Sequence, residues 1–377
     1  MSNEFGIATL SLGNWREHRL EPRLKAAAKA GFKVIDLFDE CWAAYLEEHN
    51  VPGTNLWNAT PENLRIAHKL GKLVKSYGMR IACTQPCRNV EGILDAAERR
   101  ASLGLVAQRF PFMRAFDTDL VFLCASVRTD SGVTSDLKVV ARDLAELGDM
   151  ARAYAEADGG PMLKIGYEGL SWAVRNTWSA SWEVVEFANR GNVGLVVDAF
   201  NVLAVEFADP YCPDRHGRVY PTLQESVDVL AASMKSLAAT VPCERIFFFQ
   251  CGDGQLVNPK TFLKSSDPEI PALLPWSRSH RLFPLEENYG GYMPVELVTA
   301  AVLATGYQGP ISLEVFNTSL NLPGNDVPSV HSIRGMKGLQ KLIETVDTLS
   351  PFWQSEDDAR KAKEQVIKRV QTTRSML

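Results

Sequence analysis

Met162-Leu163-Lys164-Ile165-Gly166-Tyr167-Glu168 is a short apolar run that closes on a carboxylate, and Val193-Gly194-Leu195-Val196-Val197-Asp198 repeats the pattern one segment later. Runs of this length, rich in β-branched and aromatic residues, read as buried strands. The stretch between them, around Ser179 to Ala188, has the composition of a helix, so the pair reads as a strand–helix–strand unit. Two further runs end alike: Ile246-Phe247-Phe248-Phe249 on Gln250, and Ile311-Ser312-Leu313 on Glu314. A carboxylate is costly to bury unless it is paired or bound to a cation. Three carboxylates and an amide at the ends of four strands point to one shared centre.

The same unit recurs towards the N-terminus. Gly6-Ile7-Ala8-Thr9-Leu10 reads as strand one, Lys33 to Phe38 as strand two, Met79 to Cys83 as strand three and Asp119 to Cys124 as strand four. Helical segments alternate with them: Pro22 to Ala30 before the stop at Gly31, Pro61 to Tyr77 behind a Thr60 cap, Ile93 to Phe116 as one long stretch, and Ser135 to Ala157. Further helices are expected over residues 222–240, 295–305 and 334–349. Cys41 to Thr60 reads as an irregular insertion, and long loops are expected at Ala199 to Pro221 and Cys251 to Pro294. Eight strands alternating with eight helices predict an α/β fold, a single (β/α)8 TIM barrel with extended loops at its C-terminal face. A doubly wound sheet would show a glycine-rich phosphate-binding turn after an early strand, and Ser11-Leu12-Gly13 lacks one. Residues 1–350 form the expected catalytic barrel. Residues 351–377 form a charged extension, read as an extra helix packed on the outside or against a partner subunit, and a homodimer is a possible assembly.

The 377 residues suffice for such a barrel, and 46% hydrophobic with 23% charged content is ordinary for a globular chain. The net charge of −5 arises from scattered residues with no basic patch, so neither nucleic acid nor an anionic membrane is expected as partner. No apolar run reaches the roughly 20 residues that span a bilayer. Met1 to Gly6 lacks the basic and apolar regions of a signal peptide. The seven cysteines form no CxxC pair and read as buried thiols of a reducing, cytoplasmic compartment.

Glu168, Asp198, Gln250 and Glu314 form an all-oxygen ligand set that suits one divalent ion, Mg²⁺ or Mn²⁺ first, with Co²⁺ or Zn²⁺ also compatible. Such an ion polarises a carbonyl and suits proton abstraction beside a ketone, followed by isomerisation, epimerisation or loss of water. Arg88, after strand three, and the cluster Arg278, His280 and Arg281 before strand eight would attract a small anionic, polyhydroxylated substrate. His280 is either a proton-transfer group or a structural residue, and Trp172 either lines the pocket or fills core. Asn201, three residues after Asp198, can hydrogen-bond a hydroxyl but is no base near neutral pH. A non-enzymatic barrel that binds a partner is the remaining alternative.

Several segments carry a family resemblance: Gln85-Pro86-Cys87-Arg88-Asn89-Val90-Glu91-Gly92, Tyr167-Glu168-Gly169-Leu170-Ser171-Trp172, Val197-Asp198-Ala199-Phe200-Asn201, Trp276-Ser277-Arg278-Ser279-His280-Arg281-Leu282-Phe283-Pro284, and Gly309-Pro310-Ile311-Ser312-Leu313-Glu314-Val315-Phe316-Asn317. The chain resembles the sugar-phosphate isomerase-like TIM barrels, and within them the 3-dehydroshikimate dehydratases, particularly the fungal quinate-pathway type. The resemblance implies a lyase that converts 3-dehydroshikimate to protocatechuate and water with one divalent metal and no organic cofactor. It implies metal ligands at Glu168, Asp198, Gln250 and Glu314, and a loop arginine at Arg88. Proton loss beside the ketone and expulsion of a ring hydroxyl would follow, with Arg88 or the Arg278 cluster on the carboxylate. Asn201 stands where bacterial members carry a histidine. Pro86-Cys87-Arg88-Asn89-Val90-Glu91 replaces the usual Pro-Phe-Arg-Asp-Phe-Glu, and Asp198-Ala199-Phe200 replaces Asp-Thr-Phe. The ion site is intact while its surroundings differ. An isomerase, epimerase or dehydratase of a related cyclic polyol, inosose or keto sugar therefore stays open.

Overall fold

A computed structural model describes residues 3–54, 56–214, 216–349 and 355–376. The first seven strands are β1 (Phe5–Ala8), β2 (Val34–Phe38), β3 (Arg80–Arg88), β4 (Leu120–Cys124), β5 (Lys164–Glu168), β6 (Val193–Asp198) and β7 (Ile246–Cys251). Two-residue strands β8 (Asp253–Gly254) and β9 (Arg281–Leu282) pair antiparallel in the connection that follows. Strand β10 (Ile311–Leu313) pairs in parallel with both β7 and β1 and so closes an eight-stranded parallel barrel. This is the (β/α)8 TIM barrel expected from the strand count.

Strand alternation sorts the side chains. Val34, Ala82, Leu120, Phe122, Val196 and Phe248 fill the barrel interior as an apolar plug, with the Phe122 and Phe248 rings 5.0 Å apart. The larger core lies between strands and helices. On β5 the inward positions are Gly166 and Glu168. A Cβ at Gly166 would stand 2.7 Å from Val196 Cγ2, so this level of the plug admits no side chain there. Above the plug the interior turns polar. Asp36, Gln250, Ser312, Glu168 and Asp198 are all buried, and Ser312 Oγ donates to Asp36 Oδ1 at 2.9 Å.

Besides β8, β9 and the short helix Leu274–Ser279 within the expected loop Cys251 to Pro294, three segments differ from the sequence expectation. Residues 199–206, expected as loop, form the helix Ala199–Glu206, capped by Asp198 Oδ1, which accepts from the Phe200 amide at 2.8 Å. Ala199 to Ala204 are all buried, so this helix has no polar face and shows no amphipathic period. The expected irregular insertion begins with the helix Asp39–Glu47, which seats Trp42 edge-on against Phe116 at 5.1 Å. The single long helix expected after β3 is two, Ala96–Ala107 and Phe110–Phe116, the second opened by Pro111.

The expected boundary between barrel and extension, residues 350 and 351, lies outside the described residues. Beyond it the helix Glu356–Met376 packs on the outside of the barrel. Arg369 Nε donates to Glu296 Oε1 at 2.7 Å, Lys363 Nζ donates to Asp228 Oδ1 at 2.6 Å, and Val366 and Val370 are buried. Among the described residues no helix is long and apolar enough to cross a membrane. All seven cysteines are free and six are buried.

Candidate metal centre

The barrel brings the strand-end residues together at one mouth. Asp198 is in register with Gln250, and Gln250 with Ser312, two residues before Glu314. Glu168, Asp198 and Glu314 each present a carboxylate oxygen, these oxygens lie within 4.8 Å of one another, and all three residues are buried. Gln250 Nε2 donates to Glu314 Oε1 at 2.8 Å. Gln250 Oε1 is buried and has no hydrogen-bond partner among the described residues. Asn201 Nδ2 bridges two of the acids, donating to Asp198 Oδ2 at 2.7 Å and to Glu168 Oε1 at 3.0 Å.

One buried cation of the protein faces the triad. Arg281 Nη1 donates to Asp198 Oδ2 at 2.8 Å and to Glu314 Oε2 at 2.9 Å. Its Nε and Nη2 donate to Ser277 Oγ, and the guanidinium lies 4.2 Å from the Phe200 ring centroid and 5.1 Å from that of Phe316. Burial works against this charge, but Asp198 and Glu314 outweigh it and hold the guanidinium above its ordinary value. The acids show the strain of being crowded. Burial first, then the charges of Glu314 and Asp198, push the Glu168 carboxyl well above the usual range. Burial pushes Glu314 up to about 7 even though Arg281 opposes it. Three ionised carboxylates and one guanidinium would leave two negative charges for a cation to balance. An all-oxygen set with an orphaned amide oxygen therefore fits a hard divalent ion, which would hold the acids in their ionised form.

A cleft of about 620 Å³ opens over this centre. Cys124 and Phe316 belong to its lining, and Cys124 Sγ lies 3.5 Å from Glu168 Oε2, so the cleft reaches the triad. Its walls include Arg88, Trp172 and Arg278. Arg278 is exposed to the cleft and stacks 4.6 Å over Phe316. Arg88 Nη2 donates to Glu40 Oε1 at 3.3 Å.

The residues singled out in the sequence thus fall into three groups. Glu168, Asp198, Gln250, Glu314, Asn201 and Arg281 meet in the buried centre. Arg88, Trp172 and Arg278 share the cleft. Arg281, expected against substrate, faces the acids instead. His280 lies apart: it lines a hollow with Gln255 and Phe262, its ring meets Phe262 edge-on at 4.8 Å, and its Nδ1 pairs with Ser279 Oγ at 2.7 Å. Burial lowers its basicity. Sequence reasoning passed over Glu40 and Cys124. Glu40 is the second residue after β2 and Cys124 ends β4, which is close to the signal that found Glu168.

A model of the xylose isomerase-like TIM barrel family matches residues 24–341. The chain belongs to that family. Among its relatives, a 3-dehydroshikimate dehydratase of Neurospora crassa is 29% identical over 358 residues, covering 91% of this chain and 94% of the relative. A 3-dehydroshikimate dehydratase of Pseudomonas aeruginosa is also 29% identical, over 340 residues; the match covers 89% of this chain but 41% of that longer protein. Equal identity to a fungal and a bacterial relative sets the likeness at the level of the group rather than of its fungal branch. Among solved structures, a xylose isomerase-like TIM barrel/4-hydroxyphenylpyruvate dioxygenase fusion protein superposes with a TM-score of 0.66 at 26% identity, over 92% of this chain and 44% of that one. The IolI protein, solved with a bound zinc atom, superposes with a TM-score of 0.61 at 15% identity, over 93% of this chain and 99% of that one, and shares the fold.

Proposed function

We propose that this chain is a divalent-metal-dependent carbon–oxygen lyase that dehydrates 3-dehydroshikimate to protocatechuate. The observation that carries the reading is the buried acid triad beneath a cleft that also holds Arg278. The relatives that bear this activity in their names support the choice of substrate. Glu168, Asp198, Gln250 and Glu314 would hold the ion, with Mg²⁺ or Mn²⁺ the first choice. When bound, it supplies Lewis acidity to a carbonyl oxygen and offsets the negative charge that develops there.

The protein's own groups do the rest. Arg278 has no ion-pair partner among the described residues, so its guanidinium is free to take the substrate carboxylate. Trp172 supplies a flat wall for the ring. Asn201 fixes the rotamers of Glu168 and Asp198 through its amide nitrogen. Arg281 offsets part of the triad's charge and keeps Asp198 and Glu314 aligned. No organic cofactor enters this scheme.

Purified protein incubated with 3-dehydroshikimate and Mn²⁺ is expected to develop catechol absorbance and a product lighter than substrate by one water. EDTA should abolish this and Mn²⁺ restore it. Absence of product with Mg²⁺, Mn²⁺ and Co²⁺ alike refutes the substrate. A second reading has its own support. Asn14, Asn89, Asn317 and Asn321 line the cleft, and amides pair well with hydroxyls. They favour an isomerase, epimerase or dehydratase of a cyclic polyol, inosose or keto sugar, which would incorporate solvent deuterium into such a compound without forming a catechol.

A further inference from the structure

The cleft holds one carboxylate that the scheme above leaves without a task. Glu40 stands in the first turn of the helix Asp39–Glu47, two residues beyond the end of β2. Its Oε1 accepts from Arg88 Nη2, while its Oε2 is buried with no hydrogen-bond partner among the described residues. Removing a proton from carbon requires a base within hydrogen-bond reach of the substrate. Among the described residues that line the cleft, Glu40 is the sole carboxylate. The other ionisable groups there are Arg88, Arg278 and Cys124. Arginine does not give up its proton near neutral pH. Cys124 Sγ is turned to the triad, 3.5 Å from Glu168 Oε2, and is engaged there. Asn201 is an amide, and His280 faces a different hollow. Glu168, Asp198 and Glu314 are engaged with the cation site and with Arg281 and Asn201.

We propose that Glu40 is the proton-transfer residue of this site, oriented by Arg88. The proposal rests on reading the site as one that forms an enolate. The Glu40 carboxylate takes the proton from the ring carbon beside the ketone, and the C–H electron pair moves into the enolate. When the carbonyl reforms, that pair becomes the new ring double bond. The C–O bond to the leaving hydroxyl breaks, and the hydroxyl departs as water with the proton from Glu40, which returns to carboxylate. Transfer of one further ring proton to the carbonyl oxygen completes the aromatic product, with no oxidant or reductant required. Arg88 is a positioning residue in this scheme, and Arg278 is left to anchor the substrate carboxylate.

The test compares wild type with Glu40→Gln on four readouts: turnover, bound Mn²⁺ per chain, Tm, and protocatechuate binding to the metal-free protein. Glu40→Gln is expected to lose about 10²–10⁴-fold in kcat with metal content and Tm unchanged. Binding of the anion to metal-free protein should tighten by about threefold, because a negative charge leaves the cleft and Arg88 is released. Formate should restore part of the rate to Glu40→Gly. Turnover by Glu40→Gln within about threefold of wild type would overturn the assignment of Glu40 alone. So would loss of metal, weaker anion binding, or failure of formate to rescue Glu40→Gly, each of which marks a structural role. If wild type with Mn²⁺ neither turns over 3-dehydroshikimate nor exchanges substrate protons with deuterated solvent, the enolate reading itself falls, and Glu40's role with it.

Discussion

Asn201 ties together two of the three triad acids. Its single amide nitrogen holds Glu168 and Asp198 together, and its Oδ1 accepts from the Ser171 amide at 3.1 Å. Groups that orient metal ligands commonly contribute about 10–100-fold to affinity. Asn201→Ala should therefore weaken Mn²⁺ binding by about that factor, as read by calorimetric titration, with the fold intact. Asp253 offers a prediction independent of the ion. Burial, opposed by the charge of Arg369, raises its carboxyl from 3.8 to about 7. Below pH of about 4 both folded and unfolded chains hold this proton. Between about 4 and 7 only the folded chain does, so the contribution of Asp253 to stability falls as pH rises through that window. Above 7 the buried charge costs up to about 4 kcal/mol. Asp253→Asn keeps the oxygen that accepts from the Gly254 and Met293 amides. Its Tm should match wild type at pH 4 and exceed it at pH 8; equal Tm differences at both would contradict the argument.

The connection from β7 to β10 carries Arg278 and Arg281, and several fastenings hold it. Trp276 Nε1 donates to Gln255 O at 3.0 Å, and β8 pairs with β9, which begins at Arg281. Asp253 Oδ1 accepts from the Met293 amide, and Met293 O in turn accepts from Arg369 Nη2 at 2.9 Å. Arg369 belongs to the C-terminal helix and also grips Glu296, which is buried. That helix thus braces the connection on which the arginines stand. Arg369→Ala leaves the Glu296 carboxylate buried without its cation, a change that costs about 3 kcal/mol. The loss should register in urea unfolding. Limited proteolysis should then cut within residues 251–294 sooner than in wild type; unchanged cleavage would mean the helix does not brace this segment.

Taken together, the barrel has an apolar lower interior and a charged upper one, whose three buried acids are able to hold a divalent ion. Crowded carboxylates disfavour the folded state until a cation arrives. An ion that binds only the folded chain stabilises it by mass action, about 2.7 kcal/mol at a hundredfold excess over Kd. Mn²⁺ should raise the Tm of EDTA-treated protein, and Glu314→Gln should shrink the shift. An identical Tm with and without Mn²⁺ would mean that the triad binds no ion.

Much of this was legible in the chain before it was folded. The four strand-ending polar residues and the eight alternating units depend on neighbours a few positions away, and hydrophobic period and strand length report these directly. The identity of each partner was not legible. Arg281 lies 83 positions from Asp198 and Arg88 lies 48 from Glu40, so their pairing depends on which strands close the barrel and at what stagger. The helix Ala199–Glu206 escaped notice because it is buried nearly all round, which removes the polar stripe that marks a helix. His280 and Arg281 are adjacent in sequence, yet one points to a hollow beside Phe262 and the other to the acid triad. Residue type and local period are properties of the chain itself and specified the four strand-end polar residues and the barrel. Which cation faces the acids, and which carboxylate faces the cleft, required the closed barrel, because only closure brings distant strand ends within hydrogen-bond reach.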